Sequence, residues 1–135
     1  MDVIGAGRRF VATAVSDRQN LVMSDDGKLR ARLDGDVDGR RGVSPEQVFA
    51  AGFAACVNRT IIEVARARGL ATGAVWVTAR VVVPAGEGGR LRIEVVADIA
   101  ELSAGDAEAL VRAAFDACPV SAAMRGNIDL ELRVA

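Results

Sequence analysis

Residues 44–69, SPEQVFAAGFAACVNRTIIEVARARG, decide the fold of this chain. The Ser-Pro-x-Gln start is typical of a helix N-cap with proline in the first turn and a capping box. Gly69 follows the last apolar residues, at a place where a glycine commonly ends a helix. We therefore predict one helix over residues 45–68, which is roughly 36 Å long at about 1.5 Å per residue.

The two halves of this helix differ in composition. Residues 48–57, VFAAGFAACV, are apolar all round, which is typical of a helix covered on every side. From Asn58 onward the helix is amphipathic, with Arg59, Glu63 and Arg66 on one stripe. Because the strands of one chain offer little surface to cover the first half, we expect a homodimer in which the partner subunit buries part of the helix. The alternative is a monomer whose sheets wrap the helix fully.

Alternating apolar and polar residues predict strands on both sides of the helix. These strands lie at residues 9–15, 19–23, 28–33, 75–83, 91–99 and 128–134. The Gly-, Asp- and Arg-rich residues 34–43 are predicted to form a mobile loop. Ser103-x-x-Asp106 opens a second helix, which Pro119 ends or kinks just after Cys118. Runs of antiparallel strands with segregated helices indicate an α+β fold, organised as a single domain over residues 1–135.

Composition excludes several classes of function. The chain has 135 residues, of which 51% are hydrophobic and 26% charged, with a net charge of -1. It contains no histidine, so Ser-His and Cys-His nucleophile pairs and His-ligated metals are excluded. Its two cysteines alone cannot fill a four-thiolate metal site, and we expect no metal.

Charge and hydropathy predict neither a nucleic-acid nor a membrane partner. The 17 basic and 18 acidic residues are spread along the chain without a basic stripe of interleaved aromatic residues. No apolar run reaches the length of a membrane span, and the N-terminus lacks the pattern of a secretory signal. We expect a cytoplasmic protein, in which a purely structural disulfide would be unusual.

Cys56 and Cys118 are the candidates for covalent or redox chemistry. Without histidine, a guanidinium beside the sulfur is the common means of favouring a thiolate, because arginine stays charged and donates in a planar fork. The sixteen arginines leave the choice among them open from spacing alone. The other interpretation is that both cysteines are small hydrophobic residues of a core.

Two segments that carry these cysteines resemble one family. Residues 45–56, PEQVFAAGFAAC, resemble the peroxidatic-cysteine helix of the organic hydroperoxide resistance (Ohr) proteins, within the wider OsmC/Ohr family. Residues 117–121, ACPVS, followed by residues 125–129, RGNID, are similar to the resolving-cysteine segment of that family. The resemblance implies an intertwined α+β homodimer with two antiparallel-rich sheets around a long, buried central helix.

The resemblance also implies a thiol peroxidase without a bound cofactor. Cys56 would attack an alkyl or lipid hydroperoxide and become a sulfenic acid, and Cys118 would condense with it to a disulfide. A dihydrolipoyl group on a partner protein would reduce this disulfide. Arg18 matches the arginine that contacts the thiolate, and Glu46 matches the glutamate that holds that arginine. Arg125 is predicted to be structural, binding carbonyls near the second cysteine.

An apolar access path is predicted beside Cys56. Phe49, Phe53, Val120 and Met124 would line it and favour organic hydroperoxides over hydrogen peroxide; the alternative is that all four are core packing. Arg59 stands where apolar residues are usual in the family. Other functions that fit the sequence are an OsmC-like relative with a different peroxide or reductant, a redox-sensing or binding module without turnover, and a plain interaction domain.

Overall fold

The computed structural model describes residues 12, 14–18, 21–33, 36–37, 40–86 and 88–135, and for residues 36, 37, 40 and 41 it describes the backbone alone. The chain divides into a smaller unit, Gly7–Val48, and a larger unit whose described part is Phe49–Ala135. The expectation of a single domain over residues 1–135 stays a prediction.

The described residues form eight strands and three helices. In chain order they are β1 (Ala14–Ser16), β2 (Leu21–Ser24), β3 (Arg30–Arg32), β4 (Asp36–Val37), β5 (Arg40–Arg41), α1 (Pro45–Ala67), β6 (Val75–Val82), β7 (Arg92–Ile99), α2 (Ala104–Ala117), α3 (Pro119–Met124) and β8 (Asp129–Val134). The α+β class, with two three-stranded sheets and a long helix, is confirmed.

The smaller unit is built on an antiparallel sheet in the order β1-β2-β3. The predicted turn between β2 and β3 is present: the Ser24 hydroxyl donates to Asp26 Oδ1 over 2.6 Å, and the same oxygen accepts from the Lys28 N–H over 3.0 Å. Gly27 takes a φ of +73°, a left-handed conformation that a glycine adopts without strain. No described residue of this unit is fully buried, so its sheet has no core of its own within these residues.

Residues 36–37 and 40–41 form paired strands within the segment that the sequence predicted to be a loop; residues 34, 35, 38 and 39 lie outside the described residues. The backbone pairs β4 with β5 in an antiparallel register that sets Val37 opposite Arg40. This register leaves two residues between the strands, and the sequence there is Asp-Gly, which two-residue hairpin loops favour. The loop prediction was wrong for residues 36–37 and 40–41, because it interpreted the Gly and Asp content as irregular structure; the mobility of the segment stays a prediction.

Both predicted ends of α1 are confirmed. The Ser44 N–H donates to Gln47 Oε1 over 2.8 Å, and the Gln47 N–H donates to Ser44 Oγ over 3.1 Å, which completes the capping box. At the other end Gly69 has a φ of +68°, and the Leu70 N–H donates to the Ala65 carbonyl over 2.9 Å. This is the Schellman arrangement expected of a glycine-terminated helix.

The larger unit packs α1 and α2 into one core with the sheet β6-β7-β8. β6 and β7 are antiparallel, whereas β8 runs parallel to β7 after the crossover through α2 and α3. Alternate residues of β7 are buried and contact the helices: Ile93, Val95, Ala97 and Ile99. The intervening residues of the strand include Arg92 and Glu94, which form ion pairs with each other and with neighbouring strands. The period-2 pattern therefore sorts this sheet into a core face and a charged face.

The first half of α1 is less covered than the sequence predicts. Within residues 48–57 Phe53 and Val57 are buried, but Phe49 remains 39% exposed. Most of the buried positions of the helix belong to its second half. Within the larger unit, the sheet β6-β7-β8 and α2 cover a single stripe of α1, so this unit alone does not cover the helix on every side. The homodimer and the alternative of a monomer whose sheets wrap the helix both stay predictions.

By length and composition alone, α1 would suffice to cross a membrane. Core helices of globular proteins pass the same test, and α1 carries charged residues such as Arg59, Glu63 and Arg66 along its second half. Phe53, Val57, Ile61 and Val64 belong to the core that the helix shares with α2 and the sheet. We interpret α1 as a core helix.

Candidate active site

The two cysteines meet in the larger unit although 62 positions separate them in sequence. The Sγ atoms of Cys56 and Cys118 are 3.2 Å apart, and both cysteines are free thiols. Cys56 lies in the middle of α1 and is partly exposed, whereas Cys118 is 0% exposed. A disulfide bond requires about 2.05 Å between the sulfurs, so a small movement of either side chain would join them.

Proline positions Cys118 between two helices. Pro119 cannot continue α2, and Cys118 is both the C-cap of α2 and the N-cap of α3. Its N–H donates to the Ala114 carbonyl over 2.8 Å, and its own carbonyl accepts from the Ala122 N–H over 3.0 Å. The backbone of Cys118 is therefore held from both sides, which fixes where its sulfur points.

Arg125 stabilises the junction between α2 and α3 at which Cys118 lies. One of its terminal nitrogens donates to the Phe115 carbonyl over 3.1 Å and to Asp116 Oδ1 over 2.6 Å. These two bonds tie the end of α3 to the last turn of α2, close to Cys118. The predicted structural role of Arg125, binding a carbonyl near the second cysteine, is confirmed.

The polar residues that follow Cys56 have structural roles. The Asn58 amide donates to the Val75 carbonyl over 3.1 Å and so joins α1 to β6. The buried Thr60 hydroxyl donates to the Cys56 carbonyl over 2.9 Å. Both side chains therefore fix the segment of α1 that carries Cys56.

The surroundings of the two sulfurs act differently on their pKa values. Burial, followed by the neighbouring Cys118, raises the pKa of Cys56 to about 11, and the charge of Arg59 one turn along the helix opposes this. Burial also raises the pKa of Cys118, but the Ser121 hydroxyl, the N–H groups of Ser121 and Val120 and the Cys56 thiol together hold it below its ordinary value. The surroundings of Cys56 therefore oppose its thiolate, whereas the groups around Cys118 favour the thiolate of that residue.

Arg18 and Glu46, the predicted source and support of a cation beside Cys56, belong to the smaller unit. Arg18 lies exposed in the turn after β1, beside Asp17, whose carboxylate accepts from the Leu21 N–H over 3.1 Å. Glu46 is exposed in the first turn of α1. The action of Arg18 on Cys56, and of Glu46 on Arg18, stays a prediction.

The four residues predicted to line an access path are all in the larger unit. Phe53 is buried, and its ring centroid lies 6.5 Å from that of Phe115 and 6.5 Å from that of the half-exposed Phe49. Val120 and Met124 are partly buried against the same core. Phe53 thus has a packing role in the core, and the role of the four residues towards substrate stays a prediction.

Two features of the site were not foreseen from the sequence. One is an open groove of about 530 Å³ along α1, whose lining residues do not include Cys56: Ala54, Ala55, Asn58, Arg59, Ile62, Glu63, Arg66 and Val77. The charged stripe of α1 was a signal for the polar wall of this groove. The other is Ser121, a fully buried serine three residues after Cys118, for which the sequence offered no signal beyond its place in ACPVS. Among the described residues, no cluster of three or more His, Cys, Asp or Glu side chains is placed to hold a metal ion.

The chain is similar to known proteins over most of its length. The family model for OsmC-like protein matches residues 33–133. The organic hydroperoxide resistance protein OhrA of Bacillus subtilis is 37% identical over 138 aligned residues, which cover 93% of this chain and 96% of the relative. OhrB of the same organism is 32% identical over 127 residues, covering 90% of this chain and 93% of the relative.

Solved structures agree with this assignment. An organic hydroperoxide resistance protein from Legionella pneumophila superposes with a TM-score of 0.80 at 35% identity, covering 97% of this chain and 99% of that chain. One from Vibrio cholerae, with captopril bound in one of its active sites, has a TM-score of 0.78 at 36% identity, covering 98% and 94%. The chain belongs to the OsmC/Ohr family, and the resemblance drawn from its two cysteine segments is confirmed.

Proposed function

We propose that this protein is a cysteine-based thiol peroxidase that reduces organic hydroperoxides, alkyl or lipid, to alcohols. The observation that carries the proposal is the 3.2 Å separation of the Cys56 and Cys118 sulfurs in a chain without histidine. Relatives named for organic hydroperoxide resistance, matched over more than nine-tenths of the chain, support the choice of substrate class.

In the first step, the Cys56 thiolate attacks the terminal oxygen of the hydroperoxide. The O–O bond breaks, the alkoxide takes a proton and leaves as the alcohol, and Cys56 becomes a sulfenic acid. The partial exposure of Cys56 supports its assignment as the attacking sulfur, since the fully buried Cys118 is closed to an external molecule.

In the second step, the Cys118 thiolate attacks the Cys56 sulfur. The S–O bond breaks, hydroxide leaves and is protonated to water, and the Cys56–Cys118 disulfide forms. The groups that lower the pKa of Cys118 favour the thiolate this step requires.

Arg18 and Glu46 complete the proposed site. The Arg18 guanidinium would donate to the Cys56 thiolate and to the oxygen that develops negative charge, while Glu46 orients the guanidinium. The raised pKa of Cys56 supports the need for such a cation. Arg59 adds a second positive charge from the same turn of α1.

A second copy of the chain is proposed to cover the exposed apolar surface. The smaller unit has no fully buried residue in its described part, although a three-stranded sheet needs one covered face to be stable. In the larger unit Trp76 is 63% exposed and Phe49 is 39% exposed. A homodimer that buries these residues would meet both needs.

The reductant is proposed to be a dihydrolipoyl group, carried by a lipoylated protein, in the cytoplasm. The test is the rate at which the purified protein consumes cumene hydroperoxide with dihydrolipoamide, compared with thioredoxin and with glutathione. We expect turnover with dihydrolipoamide and little with the other two. Turnover with another reductant alone would identify an OsmC-like relative, and stoichiometric oxidation with no reductant supporting turnover would identify a redox-sensing module.

A further inference from the structure

The hydroxyl of Ser121 is buried without a partner. The residue is 0% exposed, and Ser121 Oγ has no hydrogen-bond partner among the described residues. The backbone is well held, because the Ser121 carbonyl accepts from the Arg125 N–H over 3.2 Å. A buried hydroxyl with no partner costs stability, and an alanine would fill the same place without that cost. The hydroxyl therefore calls for a reason other than packing.

The neighbouring sulfur supplies that reason. Ser121 lies one helical turn after Cys118, and its hydroxyl is the strongest of the groups that lower the pKa of Cys118 against burial. A thiol is a weak acceptor, whereas a thiolate is a strong one. The hydroxyl thus gains a full hydrogen-bond partner when Cys118 carries negative charge.

The disulfide of the proposed cycle has two sulfurs of unequal access. Cys118 is completely buried, and Cys56 is partly exposed. An external thiol can therefore reach Cys56, and the bond must then break towards Cys118. Thiol–disulfide exchange is faster when the leaving thiol has the lower pKa.

We propose that Ser121 is a positioning residue for the reductive half of the cycle, stabilising Cys118 as the leaving group so that the external dithiol attacks Cys56. This inference rests on the proposed function, because it concerns the disulfide that the peroxidase cycle produces. The dithiol thiolate bonds to Cys56 Sγ, the Cys56–Cys118 bond breaks, and its electron pair passes to Cys118 Sγ, which accepts from the Ser121 hydroxyl. The second thiol of the reductant then attacks the mixed disulfide, releasing Cys56 and oxidising the reductant to its cyclic disulfide.

The first test measures reduction of a disulfide formed with diamide, so that it does not depend on peroxide chemistry. Rapid mixing with dihydrolipoamide should show reduction roughly five- to tenfold slower for Ser121→Ala than for the wild type, because Cys118 becomes a poorer leaving group. Ser121→Thr, which keeps the hydroxyl, should recover most of the rate. Thr72→Val is the control: it removes a hydroxyl in the segment between α1 and β6 that already has its own acceptor, the Gly73 carbonyl.

A packing role for Ser121 predicts different results. Ser121→Ala would then lose thermal stability and keep the wild-type reduction rate, whereas we expect a reduced protein at least as stable as the wild type with slower reduction. Equal rates for wild type and Ser121→Ala, or equal slowing in Thr72→Val, would overturn the proposal.

The second test needs no substitution. The wild-type disulfide is treated with 2-mercaptoethanol, quenched in acid, and digested for mass spectrometry of the mixed disulfide. We expect the adduct on Cys56, and an adduct on Cys118 would contradict the proposal. If hydroperoxide does not oxidise the wild type while these two tests succeed, the peroxidase function fails alone; if turnover is normal while they fail, the role of Ser121 fails alone.

Discussion

Cys56 and Cys118 bring their sulfurs together from unlike surroundings. Cys56 is partly exposed inside a long helix, where burial raises its pKa to about 11 and one guanidinium opposes that effect. Cys118 is completely buried at the junction of two helices, where a hydroxyl and two N–H groups favour its ionised form. The more accessible sulfur is therefore not the one whose neighbouring groups favour the thiolate. This division suits one residue that meets the substrate and another that resolves and leaves.

The sharpest test of this division exchanges each cysteine for serine. Cys56→Ser should abolish peroxide consumption, because the accessible nucleophile is lost. Cys118→Ser should still react once with cumene hydroperoxide and retain Cys56 as a sulfenic acid, which dimedone labels and mass spectrometry detects. Equal loss of the first oxidation in both variants would show that the sulfurs do not have separate roles.

Removing the predicted cation should have the next largest effect. Arg18→Ala is expected to slow peroxide reduction at least roughly tenfold at neutral pH, because the pKa of Cys56 rises and its thiolate fraction falls. The rate of Cys56 alkylation by iodoacetamide should accordingly move to higher pH. Arg30→Ala, another exposed arginine of the smaller unit, is the control and should leave both measurements unchanged. An unmoved alkylation profile in Arg18→Ala would remove Arg18 from the site.

Arg59 offers a finer test of the charge around Cys56. Its positive charge acts to lower the pKa of Cys56, so Arg59→Ala should raise that pKa and slow alkylation about two- to threefold at a pH below it. The reactivity of Cys118 should change less. Arg66→Ala, on the same groove but two turns further from Cys56, serves as the comparison. Faster alkylation in Arg59→Ala would reverse the sign of this assignment.

The smallest effect is expected from removing Arg125, which stabilises the junction of α2 and α3 next to Cys118. Arg125→Ala removes the hydrogen bond to the Phe115 carbonyl and the ion pair with Asp116, and we expect the free energy of unfolding to fall by about 1 kcal/mol in urea titration. Asp116→Ala removes only the exposed ion pair and should cost less. If Asp116→Ala lowered the free energy of unfolding more than Arg125→Ala, the hydrogen bond from Arg125 to the Phe115 carbonyl would not be the main contribution to the junction of α2 and α3.

Local signals in the sequence predicted much of the fold. Ser44 and Gln47 specify the start of α1 because their side chains bond the N–H groups that the first helical turn leaves open. Gly69 specifies its end because glycine takes positive φ without strain. Pro119 likewise separates α2 from α3. The hairpin of β4 and β5 was missed because its signal is two residues long and lies within a polar segment.

The sequence by itself therefore determined the helix ends, most strands and the two cysteine segments, since each depends on residues close together in the chain. Only the tertiary structure decided that the sulfurs of Cys56 and Cys118 meet and that the Ser121 hydroxyl is buried without another partner. It also decided which half of α1 the larger unit covers. These facts depend on how α1, the sheet β6-β7-β8 and the junction of α2 and α3 pack together. No local pattern encodes contacts between residues that are 62 positions apart in sequence.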